Sequence, residues 1–305
     1  MNITFRQMRL FMSVAEHRTI TAAARACHVT QPTVSMQLKD MSSAIGLPLY
    51  EQIGKSINLT TAGEALIQTS RAILNEWNSF EQEIAAIKGM TSGRLRVAVV
   101  STAKYFVPRI VGSFCKKHPE TEVALELLNR DRILSRLRAN EDDIYIMSVP
   151  PTDIDVVSQS FLPNPLLMIS AKNHPLANKE KVRLSELKNE RFILREQGSG
   201  TRLAGDHFFS KHGFKPKIRL ELGSNEAIKQ AVSSEMGLGI ISQHALSANI
   251  RHEQLAVLPI AGFPIHTQWS IIYRKGKRLS PIATAFLAHL ESEASTLRKN
   301  MKPQQ

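Results

Sequence analysis

Cysteine is nearly absent: the 305 residues hold two, Cys27 and Cys115. They form no C-x-x-C pair and no zinc-type spacing, which suits thiols in a cytosolic protein. Lys116 and Lys117 beside Cys115 are the one hint of a lowered thiol pKa. No run of about 18 apolar residues occurs, so nothing is expected to span a membrane. The apolar residues of 1–20 are interrupted by Arg6, Arg9, Glu16, His17 and Arg18, unlike a secretory signal. Enzyme motifs are missing too: there is no G-x-S-x-G elbow, no P-loop and no H-E-x-x-H. Ser185-Glu186-Leu187-Lys188 matches S-x-x-K without its partner motifs and reads as chance, and Gly237-Leu238-Gly239 lacks the third glycine of a dinucleotide fingerprint. The histidines show no ligand spacing; His207 and His212, five apart, fall off one helical face. No enzyme and no metal site is expected.

What is present is a basic chain with a net charge of +12 and 43% hydrophobic residues, enough apolar content for two or three cored units at this length. The charge suggests a polyanionic partner, but its placement matters more. Residues 1–60 hold six Lys/Arg against three Asp/Glu, and 61–90 hold two against four. The remaining residues, 91–305, therefore carry 31 − 20 = +11. A nucleic-acid reading must rest on motif geometry. The downstream excess fits an anionic ligand or a solvated basic surface equally.

Residues 1–60 read as short helices with tight turns. Phe5, Met8, Leu10, Phe11 and Val14 mark the first helix, Thr21 to Cys27 an alanine-rich second, and Gln31 to about Ile45 a third stopped by Gly46 and Pro48. Thr30 is a good N-cap and Pro32 fits the first turn. Val34, Leu38, Met41 and Ile45 make a buried face, leaving Gln31, Thr33, Ser35, Met36 and Lys39 opposite. Gln pairs bidentately with adenine, small apolar groups touch thymine methyls, and Ser, Thr and Lys suit phosphates. Leu49–Thr60, with Gln52, Gly54, Lys55 and Asn58, reads as a β-hairpin wing. The helix-turn-helix proper spans about Ile20 to Lys39; a purely structural helical domain would show much of the same pattern.

Residues 61–90 read as a linker helix and hinge. Leu66, Thr69, Ile73, Trp77, Phe80, Ile84 and Ile87 form a coiled-coil-like stripe, which needs a partner: a second copy, or the chain's own domain. Gly89 to Gly93 reads as a flexible joint. From 91 to 305, strands alternate with helices, predicting α/β units around mainly parallel sheets. Strands are expected at Leu95–Val100, Glu122–Leu128, Ile144–Met147, Val156–Ser160 and Leu166–Ile169, with a helix from about Lys104 to Lys117. Three strand ends lead into helix starts: Ser101-Thr102, Gly198-Ser199-Gly200-Thr201 with Arg195 and Arg202 nearby, and Ser224-Asn225. Backbone N–H groups and hydroxyls at such ends make an anion site, with Arg130 as a further contributor; ordinary N-capping uses the same residues.

Two motifs carry a family resemblance: Thr30-Gln31-Pro32-Thr33-Val34-Ser35 at the third helix and Leu59-Thr60-Thr61-Ala62-Gly63 at the linker junction. They resemble the LysR-type transcriptional regulators, and the layout matches over essentially the whole chain. Ser101 to Phe106, Asn140 to Met147, Glu196 to Arg202, Gly223 to Val232 and Gly276 to Pro281 look most like the Calvin-cycle subgroup controlling RuBisCO operons (CbbR and relatives); regulators of bicarbonate uptake are near it. The resemblance implies an N-terminal all-α winged helix-turn-helix (1–60), a linker helix (61–90), and an effector-binding domain of two α/β subdomains like periplasmic solute-binding proteins (I about 91–161 and 266–305, II about 162–265). It implies DNA contacts from Thr30, Gln31, Pro32, Thr33, Ser35, Met36, Lys39 and Lys55. It places the effector among Ser101, Thr102, Lys104, Arg130, Gln197, Ser199, Thr201, Arg202 and Asn225. The implied partners are promoter DNA, RNA polymerase, further copies in a homodimer or homotetramer, and a small anionic coinducer, either a phosphorylated metabolite or an NADPH-like signal, with no other cofactor. A transport-type solute-binding protein is the alternative, against which the first 90 residues argue.

Overall fold

The computed structural model describes residues 2–54, 56–87, 93–246 and 250–300. It divides into two units, Met1–Ile84 with Ala139–Glu141, and the remainder from Ala85. Lys55 and the joint residues 89–92 lie outside the described residues.

The first unit begins with α1 (Phe5–His17), started by a capping box in which Thr4 and Gln7 satisfy each other's backbone N–H groups. Its end at Arg18 turns left-handed (φ 54°), and the Arg18 carbonyl then accepts from the Ile57 N–H at 2.7 Å. α2 (Ile20–Ala26) is capped by Thr19. Its Ala23 and Ala24 are buried, because residues without bulk let α2 approach α3 (Gln31–Ile45) closely. Thr30 caps α3, Pro32 sits in its first turn and Gly46 closes it at φ 79°. The face expected to be buried is so at Val34, Leu38 and Met41, while Ile45 is half-buried. β1 (Tyr50–Ile53) and β2 (Ser56–Leu59) pair antiparallel as the expected wing. Phe11, Val14, Leu38, Leu49 and Ile57 join in one core. α4 (Thr61–Ile87) follows as a 27-residue helix, about 40 Å long at 1.5 Å per residue. On its apolar stripe Ile73, Trp77 and Phe80 are 37%, 40% and 50% exposed. Among the described residues Trp77 finds an aromatic neighbour outside α4, Phe5 at 5.2 Å. The Ile87 side chain is outside the described set.

The second unit is built on one mixed sheet of order β4-β3-β5-β11-β6-β9-β7-β8, with β10 paired to β6. β3 (Gly93–Val100) lies parallel between β4 (Thr121–Leu128) and β5 (Ile144–Met147). β7 (Arg191–Arg195) lies parallel between β8 (Lys217–Leu222) and β9 (Leu238–Ser242). The expected parallel sheets are thus present only as these two triplets. Joining them are β6 (Val156–Ala171) and β11 (Ile265–Arg274), antiparallel to each other. One carries the chain from the first triplet to the second and the other carries it back, so opposite directions are unavoidable. Val156–Ser160 and Leu166–Ile169, expected as separate strands, are parts of β6; Pro163 and Pro165 each forgo a ladder donor without ending it. Each triplet has its own core: Leu95, Val97, Phe114, Trp269 and Phe286 in one, Met168, Phe192, Phe209 and Ile240 in the other. α5 (Val107–Lys117), α6 (Arg130–Arg138) and α9 (Pro281–Asn300) accompany the first triplet, α7 (Gly200–Lys211) and α8 (Asn225–Ser233) the second. The helix expected from Lys104 begins only at Val107. Before it, Ser101–Tyr105 is a 3-10 turn, broken from α5 at Phe106 (φ −135°), with Pro108 in the first turn of the true helix.

Candidate DNA-reading face and effector cleft

On α3 the side opposite the core is open. Gln31, Pro32, Ser35, Met36 and Lys39 are exposed, Met36 by 56%, and Thr33 is half-buried. Thr30 is exposed but occupied: its hydroxyl accepts from the Thr33 N–H at 3.4 Å and meets the Thr33 hydroxyl at 2.8 Å. Capping is therefore its first task. Gln31 and Ser35 share a groove with Thr19, Ile20, Thr21 and Gln52. α3 and the wing thus offer amides and hydroxyls side by side, with no acidic group among them. Thr19 and Thr21 escape notice in the sequence because nothing local announces that the turn before α2 lies beside α3.

In the second unit, five of the nine expected effector residues line one cleft between the two triplets: Ser101, Thr102, Arg130, Ser199 and Thr201. Ser199 caps α7, accepting from the Arg202 N–H at 3.1 Å. Gly200 lies close to the opposite wall: a Cβ there would come within 2.6 Å of the Ser148 hydroxyl, which would have to turn aside. At the centre is Arg195, 3% exposed. Its guanidinium donates to both Glu196 oxygens at 2.7 and 2.8 Å, and at 3.2–3.4 Å to Ser101 Oγ, Thr102 Oγ1, Asn225 Oδ1 and the Gly223 carbonyl. Asn225 Nδ2 closes the ring by donating to Thr102 Oγ1 at 3.4 Å. Asn225 thus serves the cleft through Arg195 and Thr102. Arg130 Nε donates to the Val149 carbonyl at 3.3 Å.

Three expected residues are not brought there. Lys104 is turned by the 3-10 geometry onto Glu226, Nζ to Oε2 at 2.8 Å. Arg202, 9% exposed, is held on the other side of α7 by Asp206 at 2.8 Å, Glu221 at 2.9 Å and the Arg195 carbonyl at 3.0 Å. Gln197 is exposed and outside the lining. The structure adds Asn129, Ser148, Glu196 and Trp269, none of which carries a local signal.

The Lys104 contact has a measurable consequence. Glu226 also receives the Tyr105 hydroxyl at 2.6 Å. Burial pushes its carboxyl up, but the bonds from Lys104 and Tyr105 outweigh this and hold it at about 2, while burial and Glu226 push the Tyr105 phenol up. A carboxyl held below its usual value near 4.5 contributes stability that is complete above that value and is lost as pH falls toward 2. Both ion-pair side chains are more than a third exposed, so solvent screening limits the effect to about 1 kcal/mol or less. Denaturant titrations at pH 6 and pH 3 should show wild type losing more stability on acidification than Glu226→Gln; equal losses would remove this pair from the account.

A winged helix-turn-helix ahead of a two-cored α/β unit with a polar cleft defines a bacterial DNA-binding regulator with a sensing domain. Residues 5–64 match the bacterial regulatory helix-turn-helix model of the lysR family, and residues 88–295 match the LysR substrate binding domain. The chain belongs to the LysR family of transcriptional regulators, a non-enzymatic family. A RuBisCO operon transcriptional regulator of Acidithiobacillus ferrooxidans is 43% identical over 94% of this chain and 93% of its own length. The transcriptional activator CmpR of Synechocystis is 43% identical over 95% of each. The regulatory domain of Synechocystis CcmR, solved in complex with 2-PG, is 46% identical with a TM-score of 0.65, covering 68% of this chain and 99% of that one. Among the described residues no helix is long and apolar enough to cross a membrane.

Proposed function

We propose that this regulator acts in the cytoplasm on carbon-fixation promoters and senses a small phosphorylated acid in the cleft around Arg195. The observation that carries the reading is the meeting of Ser101, Thr102, Arg130, Ser199 and Thr201 in one cleft beside a buried arginine. Hydroxyl and guanidinium donors converging on one space are what a carboxylate or phosphate requires. The name of the Acidithiobacillus relative supports the promoter class, and the 2-PG complex of CcmR supports the ligand class. Residues 1–60 read DNA, 61–90 link, and 91–305 sense. Gln31, Ser35 and Met36 approach base edges in this reading, with Thr30, Pro32, Thr33, Lys39 and Lys55 at or near the phosphates. The exposed stripe of Ile73, Trp77 and Phe80 supports pairing of two copies of α4, which would set two α3 helices on half-sites about 34–36 Å apart. Dimers joining as tetramers bend the promoter and alter contact with RNA polymerase. An acid that binds one arrangement of the two triplets better shifts that equilibrium.

The test is footprinting on DNA upstream of RuBisCO genes, with and without 2-phosphoglycolate. Gln31→Ala should relax sequence preference, by about 1–3 kcal/mol per lost bidentate base contact, while leaving ligand binding unchanged. Thr102→Val should keep the footprint and lose its response to the acid. A Gln31→Ala protein with unaltered preference would sink the DNA assignment; a Thr102→Val protein with unaltered response would sink the cleft.

A further inference from the structure

Among the described residues, the cleft lining includes one buried side-chain polar group without a partner. Trp269 is 1% exposed, contributes to the cleft lining, and its indole N–H has no hydrogen-bond acceptor among the described residues. An indole N–H can only donate, and no acceptor of the lining, the Glu196 carboxylate and the hydroxyls included, is bonded to it. Two rings pack against the indole. Phe106 packs on it at 5.3 Å and His244 at 6.2 Å, and the His244 Nε2 is already engaged with the Pro163 carbonyl at 2.9 Å. Trp269 stands where the register of β11 against β6 shifts, between Trp269 and Ser270, so the ring is mounted on one of the two strands that connect the triplets. Buried indole N–H groups ordinarily find a partner.

We propose that the Trp269 indole N–H is a ligand-binding group: it donates to an oxygen of the anionic effector, at the base of the cleft whose walls carry the hydroxyls and arginines. The inference rests on the cleft reading above and adds to it a neutral donor from a connecting strand. A ligand oxygen supplies the missing acceptor, and a ligand so held touches both triplets and the strand between them. Specificity follows, because an analogue lacking that oxygen leaves the N–H unpaired as it is now.

The experiment uses the full chain with 2-phosphoglycolate as the probe. Calorimetry compares wild type, Trp269→Phe and Thr102→Val. In parallel, 15N-indole spectra of wild type are recorded with and without the acid; the chain has two tryptophans, and the resonance missing from Trp269→Phe is that of Trp269. The expected result is about tenfold weaker binding by Trp269→Phe and a downfield shift of the Trp269 indole proton on saturation. Unchanged affinity in Trp269→Phe, or weakened affinity with an unmoved indole proton in wild type, overturns the inference while Thr102→Val still tests the cleft. Should Trp269→Phe not fold, Trp77→Phe assigns the resonance and its shift alone decides. No binding by wild type, or equal binding by Thr102→Val, overturns the cleft reading and this inference together.

Discussion

Arg195→Met should destabilise the second unit by about 2–4 kcal/mol and weaken binding of 2-phosphoglycolate at least about a hundredfold. The substitution keeps an unbranched chain of similar length, so the packing around Leu194 and Ile193 is largely preserved, and what is lost is the fork. Arg195 is 3% exposed and Glu196 29%. Removing the cation strands a mostly buried carboxylate, which is the costly way to break such a pair, at about 3–5 kcal/mol when burial is complete. The exposure of Glu196 lowers that figure. Thr102 and Asn225 lose the bonds from Arg195 and keep their mutual contact at 3.4 Å. Adding Glu196→Gln to Arg195→Met separates the two effects. The double variant should recover a good part of the lost stability, because no orphan charge remains, and none of the ligand affinity, because the cation that holds Ser101, Thr102 and Asn225 in place is still missing. Denaturant unfolding and calorimetry on the full chain measure both. Arg195→Met that unfolds within about 0.5 kcal/mol of wild type, as an ordinary surface change would, contradicts the role given to this network.

The same network shows where sequence reasoning reaches its limit. Local chemistry is readable in the Thr30 cap and Pro32 at the start of α3, the 4-3 spacing that buries Val34, Leu38 and Met41, the hairpin between Leu49 and Thr60, and the Ser199 and Ser224 caps. Each involves partners within about four residues, or a two-residue turn. Arg195 was only placed near the site, since its partners Ser101, Thr102 and Asn225 lie 94, 93 and 30 residues away. Trp269 enters the cleft because β11 crosses between the triplets, which no stretch of sequence around it announces. The pattern predicts a helix from Lys104, whereas the 3-10 turn before Pro108 sets that lysine on Glu226. Arg202 does carry a local signal against the cleft. Asp206 stands four residues along α7, the spacing at which helical charges pair, and that neighbour marked Arg202 as already committed.

Gly63→Ala should unseat the first turn of α4 and cost about 3 kcal/mol or more, with loss of a specific footprint. The expectation comes from one distance. A Cβ on Gly63 would lie 2.0 Å from the carbonyl oxygen of Leu49, and that atom belongs to backbone and cannot swing aside. The carbonyl is also fixed by use. It accepts from the Thr60 N–H at 3.2 Å, while the Thr60 hydroxyl donates to the Pro48 carbonyl at 2.6 Å and accepts from the Gly63 N–H at 3.1 Å. These bonds close the segment leading into the wing against the start of α4, and Leu49 and Ile67 on either side are in the same core. Relieving the clash means moving α4 away from Leu49, which opens that core; forced overpacking costs about 1–3 kcal/mol even where side chains can yield. The wing and α3 share this core, so the geometry that presents Gln31 and Gln52 together is lost with it. Gly112→Ala in α5 is the control, since a Cβ there meets nothing within 4 Å. It should be neutral or stabilising by about 0.5–1 kcal/mol, the ordinary gain of alanine over glycine in a helix. Equal melting and equal footprints for the two variants would mean that the Leu49 carbonyl yields, and that the Leu-Thr-x-Ala-Gly junction does not need its glycine for contact.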